Sequence, residues 1–159
     1  MEKTRWLTED EQRVWRLTRD FQQLLDLAID RQLLEIASMS SADYAVLVCL
    51  SEGDSAGLRA RELGSQLGWD RSRVSHQVRR MAARGLVSKE TCEDDGRGTI
   101  VRITEQGERE IRAAAPQHVE KVRDLYIDQL SDEEISTLTD VFTRVVRRVG
   151  EVDGITLPK

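Results

Sequence analysis

The sequence predicts a mainly α-helical chain in which a helix-turn-helix and an adjoining β-hairpin are framed by long terminal helices. Three observations predict it. Apolar residues recur at three and four positions over long stretches near both ends of the chain. Two helical patterns in the middle are separated by Gly68-Trp69 and little else. An alternating pattern follows them, LVSKETC, then EDDGRG, then TIVRI, over residues 86–103. With 159 residues, 39% of them hydrophobic, the chain can bury one core of ordinary size, which predicts a single domain over 1–159.

Each element has its own signal. Thr8-Glu9-Asp10-Glu11 has the Ser/Thr-x-x-Glu form, in which hydroxyl and acid satisfy free N–H groups at a helix start. Behind it Val14, Leu17, Phe21, Leu24 and Ala28 form one stripe, with Leu25, Ile29 and Leu33 beside it, predicting a helix over about 8–36. Ser40-Ser41-Ala42-Asp43 caps a second helix in the same way. Its YAVLVCL run is apolar nearly all round, so it belongs at the centre of the core, and Gly53 to Gly57 ends it. A short helix from Arg61 to Leu67 is anchored by Leu63 and Leu67, Gly68-Trp69 turns the chain, and Asp70 is placed to cap the next helix.

That next helix concentrates charge. The chain carries a formal net charge of -5, yet residues 71–84, RSRVSHQVRRMAAR, hold five arginines and no acid. Residues 1–58 carry 6 basic and 11 acidic side chains, residues 59–102 carry 10 and 6, and residues 103–159 carry 8 and 12. A basic middle between acidic ends points to one surface aimed at a polyanion. The alternative is an arginine-rich face that is merely solvated. On a wheel of about 100° per residue, Val78 and Met81 fall within about 40° of Val74, a narrow apolar edge. Ser72, His76, Arg79 and Ala83 point the other way, with Arg73, Ser75 and Arg80 on the flanks. Exposing Ser, His, Gln and Arg, this helix has the form of a recognition helix able to enter a major groove. Arginines 71, 73, 79, 80, 84 and 97 are expected to neutralise phosphates, each adding about -0.9 to the slope of log K against log salt. Selectivity must come from the helix face, His76 above all, since it can donate to guanine or contact a thymine methyl.

Gly85 ends the helix, and the hairpin that follows carries Arg97 at its tip between two glycines. A hairpin beside a recognition helix is a wing, and an arginine there can enter a neighbouring minor groove. Glu93, Asp94 and Asp95 would repel phosphate if they faced it, so Asp95 is expected to hold Arg97 or the turn backbone.

With these residues in place the sequence resembles the multiple-antibiotic-resistance regulator (MarR) family of winged helix-turn-helix transcription factors. The likeness runs from about residue 8 to 149, and its most specific part is Asp95-x-Arg97 followed by Val101-x-Ile103-Thr104-x-x-Gly107. The resemblance implies a homodimer on a pseudo-palindromic double-stranded DNA operator, usually as a repressor. It places Ser72, Ser75 and His76 near base edges and Arg97 in the minor groove, and it implies release by a small ligand or oxidant. The peroxide-sensing branch has a reactive cysteine near the start of its first long helix. DEQRVWRLTRDF holds none, so that route of sensing is not expected.

The expected DNA-binding set is therefore Arg71, Ser72, Arg73, Ser75, His76, Gln77, Arg79, Arg80 and Arg97. Residues 40–104 form the winged-helix lobe, and 8–36 with 105–149 form dimerisation helices. Thr104 is the expected cap of a fifth helix marked by Ile111, Val119, Val122, Leu125 and Tyr126. Ser131-Asp132-Glu133-Glu134 opens a sixth, with Ile135, Leu138, Val141, Phe142, Val145 and Val149 on one face. Such stripes, beyond a minimal winged helix, suit burial against a second copy. The alternative folds them onto the subunit's own core.

A pocket between lobe and terminal helices would draw on the first, second and fifth helices, making Trp15, Arg16 and Tyr44 candidates for a small aromatic or phenolic effector. Packing is the competing reading for each of them, and for Trp6 and Trp69. No catalytic signature is present. His76 and His118 are the only histidines, with His118 expected on the outward-facing start of a terminal helix, and neither G-x-S-x-G nor a phosphate loop occurs. No enzyme activity, cofactor or metal is expected. The rival class is a protein-interaction module whose basic helix binds an acidic partner. Cys49 and Cys92 match no metal or disulfide spacing, which suits a reducing compartment. The first residues, MEKTRWLTEDEQ, are polar and no apolar run approaches the roughly 20 residues a bilayer crossing needs, so a cytoplasmic protein without a membrane partner is expected.

Overall fold

The computed structural model of the chain describes residues 4–53, 56–91 and 98–153. Among them are α1 (Glu9–Ala37), α2 (Ser41–Ser51), β1 (Leu58–Arg59), α3 (Ala60–Leu67), α4 (Arg71–Ala83), β2 (Val87–Thr91), β3 (Thr99–Ile103), α5 (Glu105–Leu125), a 3-10 turn (Ile127–Gln129) and α6 (Asp132–Asp153). The architecture is the winged helix fold: mainly helical, with one small antiparallel sheet.

The caps form where the sequence signals them. Thr8 N–H donates to Glu11 Oε2 at 2.8 Å and Glu11 N–H returns to Thr8 Oγ1 at 3.3 Å. Ser40 with Asp43 and Ser131 with Glu134 repeat the exchange at α2 and α6. These reciprocal bonds satisfy N–H groups that the helix itself leaves open. Glu134, held by Ser131, has its carboxyl pKa drawn below the ordinary value by those donors. Gly68 closes α3 at φ 64°, a left-handed conformation that glycine adopts without steric cost, and Trp69 N–H then reaches back to the Gly64 carbonyl at 2.8 Å.

The sheet order is β1-β3-β2. Leu58 pairs with Val101, and β2 runs antiparallel to β3 from Val87↔Ile103 to Thr91↔Thr99. Sequence reading anticipates β2 and β3 but not β1, whose two residues are too few to show alternation. Alternation places Val101 fully inside, while Arg102 turns outward to Glu90 Oε2 at 3.1 Å.

The core gathers around α2. Val46, Leu47 and Leu50 meet Leu63 of α3, Val74, Val78 and Met81 of α4, Leu86, Val87 and Val101 of the hairpin, and Ile111 and Ala114 of α5. An apolar helix placed centrally lets every surrounding amphipathic element bury its one greasy face. Packing of α1 against α5 is marked by Phe21 against Tyr126, ring centroids 4.9 Å apart, and by Gln32 Nε2 donating to the Gln117 carbonyl at 2.7 Å.

Much apolar surface stays outside this core. Val14, Leu17, Leu24 and Leu27 of α1, Val119 of α5, and Phe142, Val145, Val146 and Val149 of α6 are all exposed in the single chain. Leu138 and Val141 are half-buried. No single described helix is long and apolar enough to cross a membrane.

Candidate nucleic-acid interface

The surface begins at Asp70. Its Oδ1 accepts from Ser72 N–H at 2.7 Å and Arg73 N–H at 2.9 Å, and these donors hold the carboxyl below its ordinary pKa, with the positive Arg73 side chain a smaller contribution. A capping anion at a helix N-terminus also meets the positive end of the helix dipole. Thus α4 starts one residue after the turn, with its N-terminal half outward.

Val74, Val78 and Met81 bury one narrow edge of α4. Arg71, Ser72, Arg73, Ser75, His76, Arg79 and Arg80 are all exposed. Arg71, Arg79 and Arg80 make no ion pair among the described residues. Arg73 is held differently, its guanidinium lying over the Trp69 ring. The result is a protruding helix end whose free hydrogen-bonding and cationic groups share one side.

Two expectations for this helix need correction. Gln77 is not on the exposed face: it is only 6% exposed, and its Nε2 donates to Asp43 Oδ1 at 2.6 Å. It lies close enough to the Val74 edge to be drawn inside once a buried acceptor is available. Arg84 is not a free phosphate ligand, because its Nη1 pairs with Asp43 Oδ2 at 2.8 Å and its Nη2 donates to the Ser38 carbonyl at 2.9 Å. Asp43, a residue that sequence reasoning treats only as a cap, is the acid joining both.

The hairpin leaves α4 at once. Leu86 N–H donates to the Met81 carbonyl at 3.0 Å, and Thr104 Oγ1 donates to the Gly85 carbonyl at 2.6 Å while accepting from Gly107 N–H at 3.1 Å. Wing and recognition helix are therefore fixed to each other at their roots. Arg97, Asp95 and Cys92 lie outside the described residues.

Away from α4, a cavity of about 580 Å³ opens between α2, β3 and α5, with Tyr44, Val48, Arg102, Glu108, Ile111 and Arg112 in its wall. Of the three residues expected at an effector site, only Tyr44 lines it. Trp15 is 59% exposed near the start of α1, and Arg16 Nε turns back to the Gln12 carbonyl at 3.3 Å, so a single chain does not bring the three together. Burial, with the negative Glu52 as a lesser cause, raises the pKa of Tyr44.

His118 is another correction. It lies well inside α5, half-buried, with its ring 4.4 Å from that of Tyr44, because it follows Ile111 and Ala114 by seven and four residues and so shares the face of α5 that packs against α2. Its Nδ1 is buried without a hydrogen-bond partner among the described residues, and burial pushes its pKa down. Burial likewise pushes the Cys49 thiol up, with Glu52 adding to it, which disfavours the reactive thiolate.

Known proteins share this fold. The model of the MarR family matches residues 37–98. A crystal structure of AbsC, a MarR family transcriptional regulator from Streptomyces coelicolor, is 35% identical, covers 92% of this chain and 98% of its own, and superposes with a TM-score of 0.86. Sco3205, a MarR family transcriptional regulator from the same organism solved in complex with DNA, is 38% identical over 90% of both chains, with a TM-score of 0.85. Among curated proteins, an organic hydroperoxide resistance transcriptional regulator of Bacillus subtilis is 27% identical over 77 residues, and an uncharacterized HTH-type transcriptional regulator of the same organism 24% identical over 93. The chain spans about half the length of these two, 51% and 56% respectively. Full-length likeness at more than a third identity, on top of an exposed cationic helix and a rooted hairpin, makes this chain a member of the MarR family of transcriptional regulators.

Proposed function

We propose that the chain is a cytoplasmic repressor that binds a pseudo-palindromic double-stranded DNA operator as a homodimer, with a small aromatic or phenolic ligand releasing it. The observation that carries this reading is α4 itself. It is a helix buried by one narrow edge that turns Ser72, Ser75 and His76 outward among four exposed arginines. The arginines supply affinity that ignores sequence, and the short polar groups supply discrimination of about 1 to 3 kcal/mol per good base contact. Arg97 would add a minor-groove contact from the wing, with Asp95 supporting it.

The exposed apolar rows on α1, α5 and α6 support the homodimer, since a single recognition helix reads only a few base pairs and a two-fold pair reads two half-sites. The cavity beside Tyr44 has the size of a small-molecule site, which supports the ligand.

The test is selection of bound fragments from genomic DNA, followed by titration of a selected duplex and a scrambled one. Preference for the selected duplex by a two-fold assembly is the expected result. The His76→Ala variant should change base preference more than non-specific affinity, and Arg97→Ala should weaken the selected duplex about tenfold or more without affecting dimer formation. Equal binding of all duplexes, or capture of an acidic protein partner by the basic helix without DNA, overturns the reading.

A further inference from the structure

Resting on that reading of α4, we infer that Asp43 is the positioning residue for the recognition helix: through Gln77 and Arg84 it fixes the roll and tilt on which base discrimination depends. The carboxylate is 1% exposed, and its four donors come from two helices and their flanks. Ser40 N–H and Oγ–H donate to Oδ2, each at 2.9 Å, Arg84 Nη1 to the same oxygen at 2.8 Å, and Gln77 Nε2 to Oδ1 at 2.6 Å. No other described acid is as deeply buried.

The geometry suits orientation better than mere attachment. Gln77 and Arg84 are seven residues apart, so they stand on the same side of α4 with their Cα atoms about 10.5 Å apart along its axis. Two anchors at that separation, drawn to one carboxylate, resist both rotation about the axis and rocking along it. The apolar edge of Val74, Val78 and Met81 cannot do this, since burial of apolar area has no direction and tolerates a rolled helix. Charge-assisted hydrogen bonds are directional.

The clamp also reaches the long N-terminal helix. Arg84 Nη2 holds the Ser38 carbonyl, where α1 ends in a left-handed residue at φ 50°. Asp30 of α1 accepts from Ser41 N–H at 2.8 Å and from Ser41 Oγ–H at 2.9 Å. Polar contacts therefore run from α1, through the start of α2, to the recognition helix. In a two-fold assembly built on the terminal helices, this path sets the attitude of each α4 relative to the shared axis.

A loosened clamp has an asymmetric consequence. Ser72, Ser75 and His76 read from the far half of α4, and short side chains lose a base contact when the helix shifts by about an ångström, against hydrogen-bond lengths near 3 Å. Long, flexible arginines follow phosphates through the same shift. Discrimination falls while non-specific affinity stays.

The experiment uses the full chain with Asp43→Asn, Arg84→Gln and both together, titrated by fluorescence anisotropy against the genomically selected duplex and a scrambled duplex over a salt series. Each single variant is expected to reduce the ratio of selected to scrambled affinity about tenfold or more, with scrambled affinity within about twofold of wild type and the salt slope unchanged. The double variant is expected to be no worse than either single one, since both remove the same link. Thermal melting accompanies each variant; should Asp43→Asn not fold, Arg84→Gln, at the half-exposed edge of the clamp, decides alone. If Arg84→Gln weakens both duplexes equally and lowers the slope by about 0.9, Arg84 is a phosphate ligand and the inference falls. A wild-type chain that discriminates, with variants that discriminate equally well, overturns the clamp alone. A wild-type chain that binds both duplexes equally overturns sequence-specific binding, and the clamp's role with it.

Discussion

The guanidinium carbon of Arg73 lies 4.3 Å from the centroid of the Trp69 ring. Trp69 belongs to the turn before α4 and Arg73 to its first turn, so the stack spans the joint of the helix-turn-helix. A cation over an indole face contributes about 0.5 to 1 kcal/mol at an exposed site, and it restricts the arginine before any polyanion arrives.

Replacing Trp69 with leucine should therefore weaken duplex DNA binding by about twofold to fivefold, on selected and scrambled duplexes alike. Anisotropy titration measures this directly. Unchanged affinity would reduce Trp69 to a packing residue.

Arg79 and Arg80 are exposed and free of acidic partners among the described residues. Arg79→Ala and Arg80→Ala should each lower the magnitude of the salt slope by about 0.9 if each side chain neutralises one phosphate. Affinity measured at four or more salt concentrations gives the slope, and a slope equal to wild type would show that the altered arginine faces no phosphate.

Gly107 sits where α5 crosses the root of the hairpin. A Cβ there would lie 2.2 Å from the Leu86 carbonyl oxygen and 2.9 Å from Ile103 Cγ1. The Leu86 oxygen is already held by Thr104 N–H at 3.1 Å, so backbone rather than a loose side chain must move. Gly107→Ala should lower unfolding free energy by about 1 to 3 kcal/mol in urea titration. A neutral result would mean that α5 can slide away from β3 without loss.

His118 predicts a pH dependence. Burial lowers its folded-state pKa below the ordinary 6.5, so the unfolded chain takes up the proton first as pH falls. Its contribution to stability is complete above about 6.5 and is lost as pH drops through the interval down to the folded-state value. Between pH 7.5 and 5.5 the melting temperature of wild type should fall further than that of His118→Phe, which keeps an aromatic ring against Tyr44. Parallel curves would mean that His118 is solvated when folded.

What the sequence made legible was local. Thr8, Ser40, Asp70, Thr104 and Ser131 announce helix starts because a cap and the N–H groups that donate to it lie within three residues, and each forms as read. Val74, Val78 and Met81 announce the buried edge of α4 because helical periodicity is fixed. What stayed hidden depends on partners far along the chain. Gln77 reads as exposed until Asp43, 34 positions earlier, supplies a buried acceptor. Arg84 reads as one more phosphate ligand for the same reason. Trp15, Arg16 and Tyr44 were grouped by chemistry, and only the path of α1 across the molecule separates them. The two residues of β1 carry no period at all.

A single residue, Thr104, separates β3 from α5, and its hydroxyl ties Gly107 of α5 to the Gly85 carbonyl just before β2. A tilt of the first turns of α5 would therefore carry the root of the hairpin with it, like the head of a hammer on its shaft.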